Sequence, residues 1–301
     1  MGNTESKTAF VAIVGCPNVG KSSLLNRLLG QKVAIVSSKP QTTRTRIMGV
    51  LTEGETQFVF TDTPGYHRPK NKLGEKMIKA VMGSMDGVDA ALLVVEPEKG
   101  LRPEEEKLLE RLKKEHIPTV LVINKIDTLK NKEVLAERIE ELRPLYDFSA
   151  IVPVSAVTGD GTDALLKELD SLAQPSPHYF PDDTLTDQPE RVIASEIIRE
   201  KILRLLKREV PHGVAVSIEK MAMREGMDLM DVDAVIYCEK ESHKGIIIGK
   251  NGAMLKKIST YAREDMEKFF RTMVNLKCWV KVKEGWRDRE GLIHNFGLDN
   301  E

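Results

Sequence analysis

The chain has only three cysteines, Cys16, Cys238 and Cys278. An odd, widely spaced set makes neither a disulfide framework nor a zinc site, and it fits a reducing cytosol. The six histidines show no metal-ligand spacing either. No apolar run approaches the roughly 20 residues that span a bilayer, and residues 1–7 are polar, with no signal-peptide core. An excess of one charge is also missing: 45 lysines and arginines face 46 aspartates and glutamates, a net charge of −1. Up to residue 175 there are 24 basic and 24 acidic residues, and 21 and 22 follow. Bulk attraction to nucleic acid or to an anionic membrane is thereby excluded, so any such surface must be a local patch. What is present is 301 residues, 41% hydrophobic and 30% charged, enough for two domains of ~150 residues each.

The most informative stretch is Gly15-Cys16-Pro17-Asn18-Val19-Gly20-Lys21-Ser22, a G-x-x-x-x-G-K-S phosphate loop. It follows an apolar, β-branched run, Ala9 to Val14, and enters a segment with apolar residues at helical spacing that stops at Gly30. Strand, glycine loop and helix are the context the motif requires. Its inward-turned N–H groups and the positive end of the next helix both suit an anion. Lys21 can reach the β- and γ-phosphates, and the Ser22 hydroxyl can bind Mg²⁺.

Three further signals follow at the ends of expected strands. A strand around Phe58-Val59-Phe60, paired with Ile47 to Leu51 across a Glu53-Gly54 turn, ends in Asp62-Thr63-Pro64-Gly65. There Asp62 can hold Mg²⁺ and the Gly65 N–H can touch a γ-phosphate. Leu92 to Val95 and Thr119 to Ile123 are continuous apolar runs, as parallel strands buried on both faces require. The second ends in Asn124-Lys125-Ile126-Asp127, where Asp127 can accept from N1 and N2 of guanine and the Lys125 stem can lie against the base. Adenine would leave Asp127 unpaired, a mismatch worth ~10⁴ in discrimination. Ile151 to Val154 leads into Ser155-Ala156, where a backbone N–H is expected to meet guanine O6. Residues 31–45, carrying Gln41-Thr42-Thr43-Arg44, are expected to loop over the phosphates.

Phosphate loop, Mg²⁺ aspartate, N-K-x-D and S-A stand in the order a GTP-binding α/β domain needs, a mostly parallel sheet with helices on both faces. On these residues the sequence resembles the translation-factor-related GTPases, in the TrmE-Era-Der-like family. The resemblance implies GTP/GDP and Mg²⁺ as cofactors, with Ser22, Asp62 and a switch threonine, Thr43 or Thr42, around the metal. It also implies a K⁺ ion held by Asn18. One position departs from the Ras pattern: the residue after D-x-x-G is Tyr66, followed by His67, rather than a water-orienting glutamine. Slow intrinsic hydrolysis, supported by Lys21, Thr43, Gly65 and Asn18, is the expectation.

Four prolines, Pro175, Pro177, Pro181 and Pro189, mark residues 175–188 as a stiff connector between a first domain, 8–174, and a second, 189–284. Residues 1–7 are read as disordered, and 285–301 as a tail with a short closing helix and frayed end. In the second domain a helical stripe from Val192 to Leu206 precedes two alternating runs, at Val214–Ile218 and Val232–Cys238. The acids from Asp228 to Asp233 read as a solvated turn and strand face. Next comes Ile248-Gly249-Lys250-Asn251-Gly252 before another helix. A G-x-x-G turn between helices lets a nucleic-acid backbone approach, since neither end carries a Cβ. Lys244, Lys250, Lys256, Lys257 and Arg263 flank it with no acid from 244 to 263. Trp279 and Trp286 read as core and edge packing. This order resembles a smaller α+β, type-2 KH domain.

The joined arrangement is similar to the Era branch of the same GTPase family. That resemblance implies a slow GTPase switch that binds 16S ribosomal RNA near its 3′ end and assists assembly of the small ribosomal subunit. It further implies a cytoplasmic monomer, loosely associated with the cell membrane. Two alternatives stay open on the residues alone: a non-enzymatic RNA-binding scaffold with a structural nucleotide, and a peripheral membrane-signalling GTPase.

Overall fold

A computed structural model describes residues 6–39, 41–98, 100–207 and 210–298. The described residues fall into two compact units: one runs to Ala34 and continues through Thr43–Arg68 and Lys76–Asp187, and the other comprises Ile35–Thr42, Pro69–Glu75 and residues from Gln188 onward.

In the first unit, β1 (Lys7–Gly15), β3 (Thr56–Asp62), β4 (Ala90–Val95), β5 (Thr119–Ile123) and β6 (Ala150–Pro153) run parallel. The sheet order is β2-β3-β1-β4-β5-β6, with β2 (Ile47–Glu53) antiparallel at the edge. Alternate residues of each central strand enter opposite cores. Val11, Leu92 and Val120 pack on one face, and Ala12, Leu93 and Leu121 on the other. Such double burial requires the uninterrupted apolar runs seen in the sequence. Helices α1 (Lys21–Leu29), α2 (Lys72–Gly83), α3 (Pro103–Glu115), α4 (Lys132–Leu142) and α5 (Thr162–Leu172) supply the crossovers and flanks. Strands β1, β3, β5 and β6 therefore deliver their motif-bearing loops to one end of the sheet.

Two boundaries differ from expectation. Residues 1–5 of the expected disordered start lie outside the described residues, but Lys7 opens β1, beside Thr56 and ion-paired to Asp170 at 3.1 Å. The 175–188 segment is not a free connector. The two-residue strand β7 (Gln174–Pro175) pairs antiparallel with β1, Leu185 accepts from the Val50 N–H at 2.9 Å, and Thr186 bridges Gly49. Backbone polar groups need partners, and a proline-rich chain lying along a sheet can still offer carbonyls.

In the second unit, α6 (Glu190–Leu205) and α8 (Ala253–Phe270) pack on a sheet ordered β10-β9-β8. Strands β8 (Ala215–Met223) and β9 (Leu229–Cys238) are antiparallel, while β9 and β10 (Met273–Val282) are parallel. The helix α7 (Glu241–Ile248) completes the order helix, strand, strand, helix, turn, helix, strand. Of the acidic run, Asp231 is bonded by Arg224 at 2.6 Å and by Asn275 at 2.7 Å. The expected tail belongs to this core. Trp286 is fully buried and donates to the Gly213 carbonyl at 2.9 Å, and α9 (Glu290–Asn295) brings Phe296 against Tyr237. Residues 299–301, the expected frayed end, lie outside the described residues. Trp279 differs from the expected packing role, standing 47% exposed on edge strand β10.

Candidate functional site

Gly20 has φ 99°, and a Cβ there would come within 2.2 Å of the Asn124 amide, so only glycine closes this turn. Behind the loop Lys21 is 6% exposed, and its ammonium donates to the Gly15 and Cys16 carbonyls at 3.0 Å each. Burial lowers its pKa to about 8, against the opposing pull of Asp62. Phosphate oxygens would reverse that shift by supplying the missing negative charge.

Asp62 is fully buried at the end of β3. Its Oδ2 accepts from the Ser22 hydroxyl at 2.6 Å, and Ser22 Oγ lies 2.9 Å from Thr43 Oγ1. Its Oδ1, also buried, has no hydrogen-bond partner. Burial pushes the carboxyl up to about 6, although Lys21, Ser22, the Thr63 N–H and Thr43 all pull it down. An orphaned carboxylate oxygen beside two hydroxyls is a donor set that fits a hard, oxygen-binding cation such as Mg²⁺. The geometry also separates the two candidate threonines. The Thr42 hydroxyl donates to the Lys39 carbonyl at 2.7 Å and meets Ser37 Oγ at 2.8 Å, so Thr43 is the one brought to Ser22. The expected loop over the phosphates is correspondingly split, with Ile35–Thr42 grouped in the second unit and Thr43 in the first.

Thr63 fixes its turn by donating to the Ile13 carbonyl at 2.8 Å, and the Tyr66 N–H donates to the Gly15 carbonyl at 3.1 Å. A Cβ on Gly65 would strike Pro17 Cα at 2.6 Å, so Pro64-Gly65 lies directly on the phosphate loop. His67 Nδ1 sits 2.8 Å from the Gly65 carbonyl. Asn18 is exposed at φ 66°, and its amide makes no hydrogen bond among the described residues. Cys16 and Val19 are buried, and burial raises the Cys16 thiol to about 11, so it stays a neutral packing group.

At the end of β5, Asn124, the first residue of the N-K-x-D motif, is turned to its neighbouring loops. Its amide donates to the Val19 carbonyl at 2.8 Å and accepts from the Ala156 N–H at 3.0 Å, tying three loops together. The expected free donors of Ser155-Ala156 are therefore engaged, since the Ser155 N–H also donates, to the Asp160 carbonyl at 2.9 Å. Asn124, 1% exposed, would otherwise be left with unmet donors, and that need decides the pairing. Ser155 instead contributes its hydroxyl, 2.6 Å from Asp127 Oδ1. Asp127 is exposed at the loop surface beside half-buried Ile126, and Lys125 holds a left-handed turn at φ 67°.

In the second unit, the Gly249–Gly252 turn lies between α7 and α8. Gly249 has φ 72° and Gly252 φ 77°, and a Cβ on Gly249 would meet Met254 at 2.7 Å. Ile248 is half-buried behind the turn, while Lys250, Asn251, Lys256 and Lys257 are exposed. Lys257 lies 5.7 Å from the Tyr261 ring centre. Lys244 has only a loose pairing with Glu241 at 3.8 Å. Arg263, expected at the RNA-facing surface, is paired with Glu267 at 2.7 Å, one helical turn beyond the acid-free stretch.

Sequence reading missed the charges buried in α6. Arg199, Glu200 and Lys201 are 1%, 0% and 5% exposed. Glu200 accepts from the Val36 N–H at 3.0 Å, Arg204 donates to the Val36 carbonyl at 3.0 Å, and Arg199 donates to the Thr42 carbonyl. The one available signal was the unbroken polar triplet Arg199-Glu200-Lys201 inside an apolar stripe.

The family described as a 50S ribosome-binding GTPase matches residues 10–125, and the KH domain family matches 209–287. GTPase Era of Clostridioides difficile is 51% identical over 299 residues, spanning 98% of this chain and 99% of its own. GTPase Era of Caldanaerobacter subterraneus is 49% identical over 295 residues, covering 97% of each. The crystal structure of a point variant of Aquifex aeolicus Era bound to GDP.AlF4⁻ superposes with a TM-score of 0.94 at 38% identity, covering 97% of this chain and 99% of that one. A second Era structure, in complex with MgGDPNP and nucleotides 1506–1542 of 16S ribosomal RNA, gives 0.94 at 38% identity, covering 98% and 99%. A P-loop GTPase unit followed by a KH unit, with this identity along nearly the whole length, leaves one conclusion: the chain belongs to the GTPase Era family and is a GTP-hydrolysing enzyme.

Proposed function

We propose that this GTPase is a slow, Mg²⁺-dependent switch whose KH unit binds the 3′ region of 16S ribosomal RNA and assists assembly of the small ribosomal subunit. The observation that carries the reading is the meeting of Ser22, Thr43 and the orphaned Asp62 oxygen, since a metal there would order the loop holding Thr43 only while a triphosphate is bound. Lys21 and the loop amides then hold the phosphates, Gly65 touches the γ-phosphate, and Asp127 with the Lys125 stem reads the base. Gly249, Gly252 and the lysines at 244, 250, 256 and 257 carry the RNA backbone. The Era relative crystallised with 16S nucleotides supports that partner. Tyr66 supplies no amide to orient water, which keeps intrinsic hydrolysis slow. Asn18 holds a K⁺ ion beside the phosphates. The protein works as a cytoplasmic monomer that touches the membrane only peripherally; among the described residues no helix is long and apolar enough to cross one.

The test is GTP hydrolysis with and without the 3′ fragment of 16S RNA, together with RNA affinity in the GTP and GDP states. Faster turnover with RNA and tighter RNA binding with GTP are expected. Moving a two-state equilibrium from 1:99 to 99:1 needs about 5.5 kcal/mol of differential binding. Equal affinities would sink the switch, absent turnover would favour the scaffold, and stimulation by lipid alone would favour a membrane enzyme.

A further inference from the structure

We propose that Glu96 is a positioning residue for guanine-nucleotide binding, its carboxylate stretching the Lys125 stem into place before the base arrives. The inference rests on the reading that the Asn124–Asp127 turn holds the base. Glu96 is the first residue beyond β4, and β4 pairs in parallel with β5 with Val95 opposite Ile123. The Asn124 N–H donates to the Val95 carbonyl at 2.9 Å, so the chain ends after the two strands leave the sheet side by side. Glu96 Oε1 accepts from the Lys125 ammonium and Oε2 from the Arg102 guanidinium. Arg102 is itself anchored, because its backbone N–H donates at 2.9 Å to Glu105, which is 2% exposed at the start of α3.

This carboxylate takes two cations from two separate elements, and one of them is the lysine of the base turn. The Glu96 side chain is 17% exposed and the Lys125 side chain 34%. Burial pushes the Glu96 carboxyl up, and the bonds from Lys125 and Arg102 outweigh that and hold it below its ordinary value, so it is charged at neutral pH. An untethered lysine has four rotatable bonds to freeze when a base lies on its stem. Immobilising such a side chain weakens binding by roughly 2- to 10-fold, and a tether that freezes it beforehand recovers that factor. Among the described residues Glu96 bonds Lys125 and Arg102 and not the phosphate loop, Ser22, Thr43 or Asp62, so the effect falls on GTP and GDP alike, with KM raised and kcat held.

The experiment titrates GDP and GTP into the full-length protein carrying Glu96→Gln, Lys125→Ala or both. Expected are about 2- to 10-fold weaker binding of both nucleotides by Glu96→Gln, partial retention in Glu96→Asp, and no further loss from Glu96→Gln once Lys125 is alanine. Wild-type affinity in Glu96→Gln, or full additivity with Lys125→Ala, would overturn the proposal, since a merely structural acid acts independently of Lys125. Should Glu96→Gln not fold, Arg102→Ala frees the far end of the tether, and unchanged nucleotide affinity there overturns it equally. Asp127→Asn serves as the separate check: if base preference does not move in that variant, the base-turn reading fails, whatever Glu96 does.

Discussion

The two ligand-facing regions of this protein are built on opposite principles. At the phosphate loop the working groups are buried, with Asp62 at 0%, Asn124 at 1% and Lys21 at 6% exposure. At the Gly249–Gly252 turn the lysines at 250, 256 and 257 stand in solvent. Burial shifts pKa values and makes each missing bond costly, so recognition there is all-or-none. Exposed charges act through water, so recognition by them is additive, screened by salt and tolerant of sequence. On the function proposed above, one region would discriminate a ligand and the other would follow a backbone.

The comparison can be broken most sharply at the base. Asp127→Asn should reverse the preference between GTP and XTP by about 10⁴-fold, read by competition titration. A change of only a few-fold would place Asp127 with the exposed class to which its surface position already points. Next in size is the metal site. The Asp62 carboxyl is raised to about 6, so the proton competes with Mg²⁺ below that pH. Mg²⁺ binding should therefore weaken as the pH falls below 6, and Asp62→Asn should flatten that dependence relative to wild type. The sign for stability is opposite: a carboxyl raised by burial disfavours the ligand-free fold above its pKa, so Asp62→Asn should melt higher than wild type at neutral pH.

On the exposed side effects should be smaller and graded. Each of Lys250→Ala, Lys256→Ala and Lys257→Ala should weaken RNA binding several-fold and flatten the dependence of log affinity on log salt by about 0.7 for each phosphate no longer neutralised. Arg263→Ala, already paired to Glu267, should change neither. The smallest effect is assigned to Asn18. Hydrolysis in KCl should exceed that in NaCl by a few-fold, and Asn18→Ala should erase the difference. Equal rates would leave the left-handed φ of 66°, which asparagine tolerates well, as sufficient reason for the residue.

Most of the first unit is legible in the sequence because motif and period agree. Doubly buried strands demand continuous apolar runs, and each run ends in a motif whose chemistry needs a strand end. What stays hidden are bonds between residues far apart in the sequence. Nothing in Asn124-Lys125-Ile126-Asp127 shows that Asn124 commits both ends of its amide to Val19 and Ala156. Nor does spacing reveal that Glu96, 29 positions before Lys125, becomes its partner. The tail conceals its role for a related reason: Trp286 lies among glycine and charge, and only the space beside Gly213 makes it core. The buried Arg199-Glu200-Lys201 triplet resists any periodicity argument, because its charges read as polar helix positions and the chain packed along them, around Val36 and Thr42, comes from far upstream.

The proline-rich strap of the first unit has a further consequence. Strand β2 is one of the sheet's two edge strands, and without a cover its outer row of amides would invite a strand from another molecule. Leu185 and Thr186 occupy part of that row, and Pro181 and Pro189 leave the segment that covers it with fewer N–H groups to offer a further strand. The connecting segment thus doubles as a guard against self-association, and a fragment trimmed back to Leu172 would keep every guanine motif while baring the seam along which copies of it could aggregate.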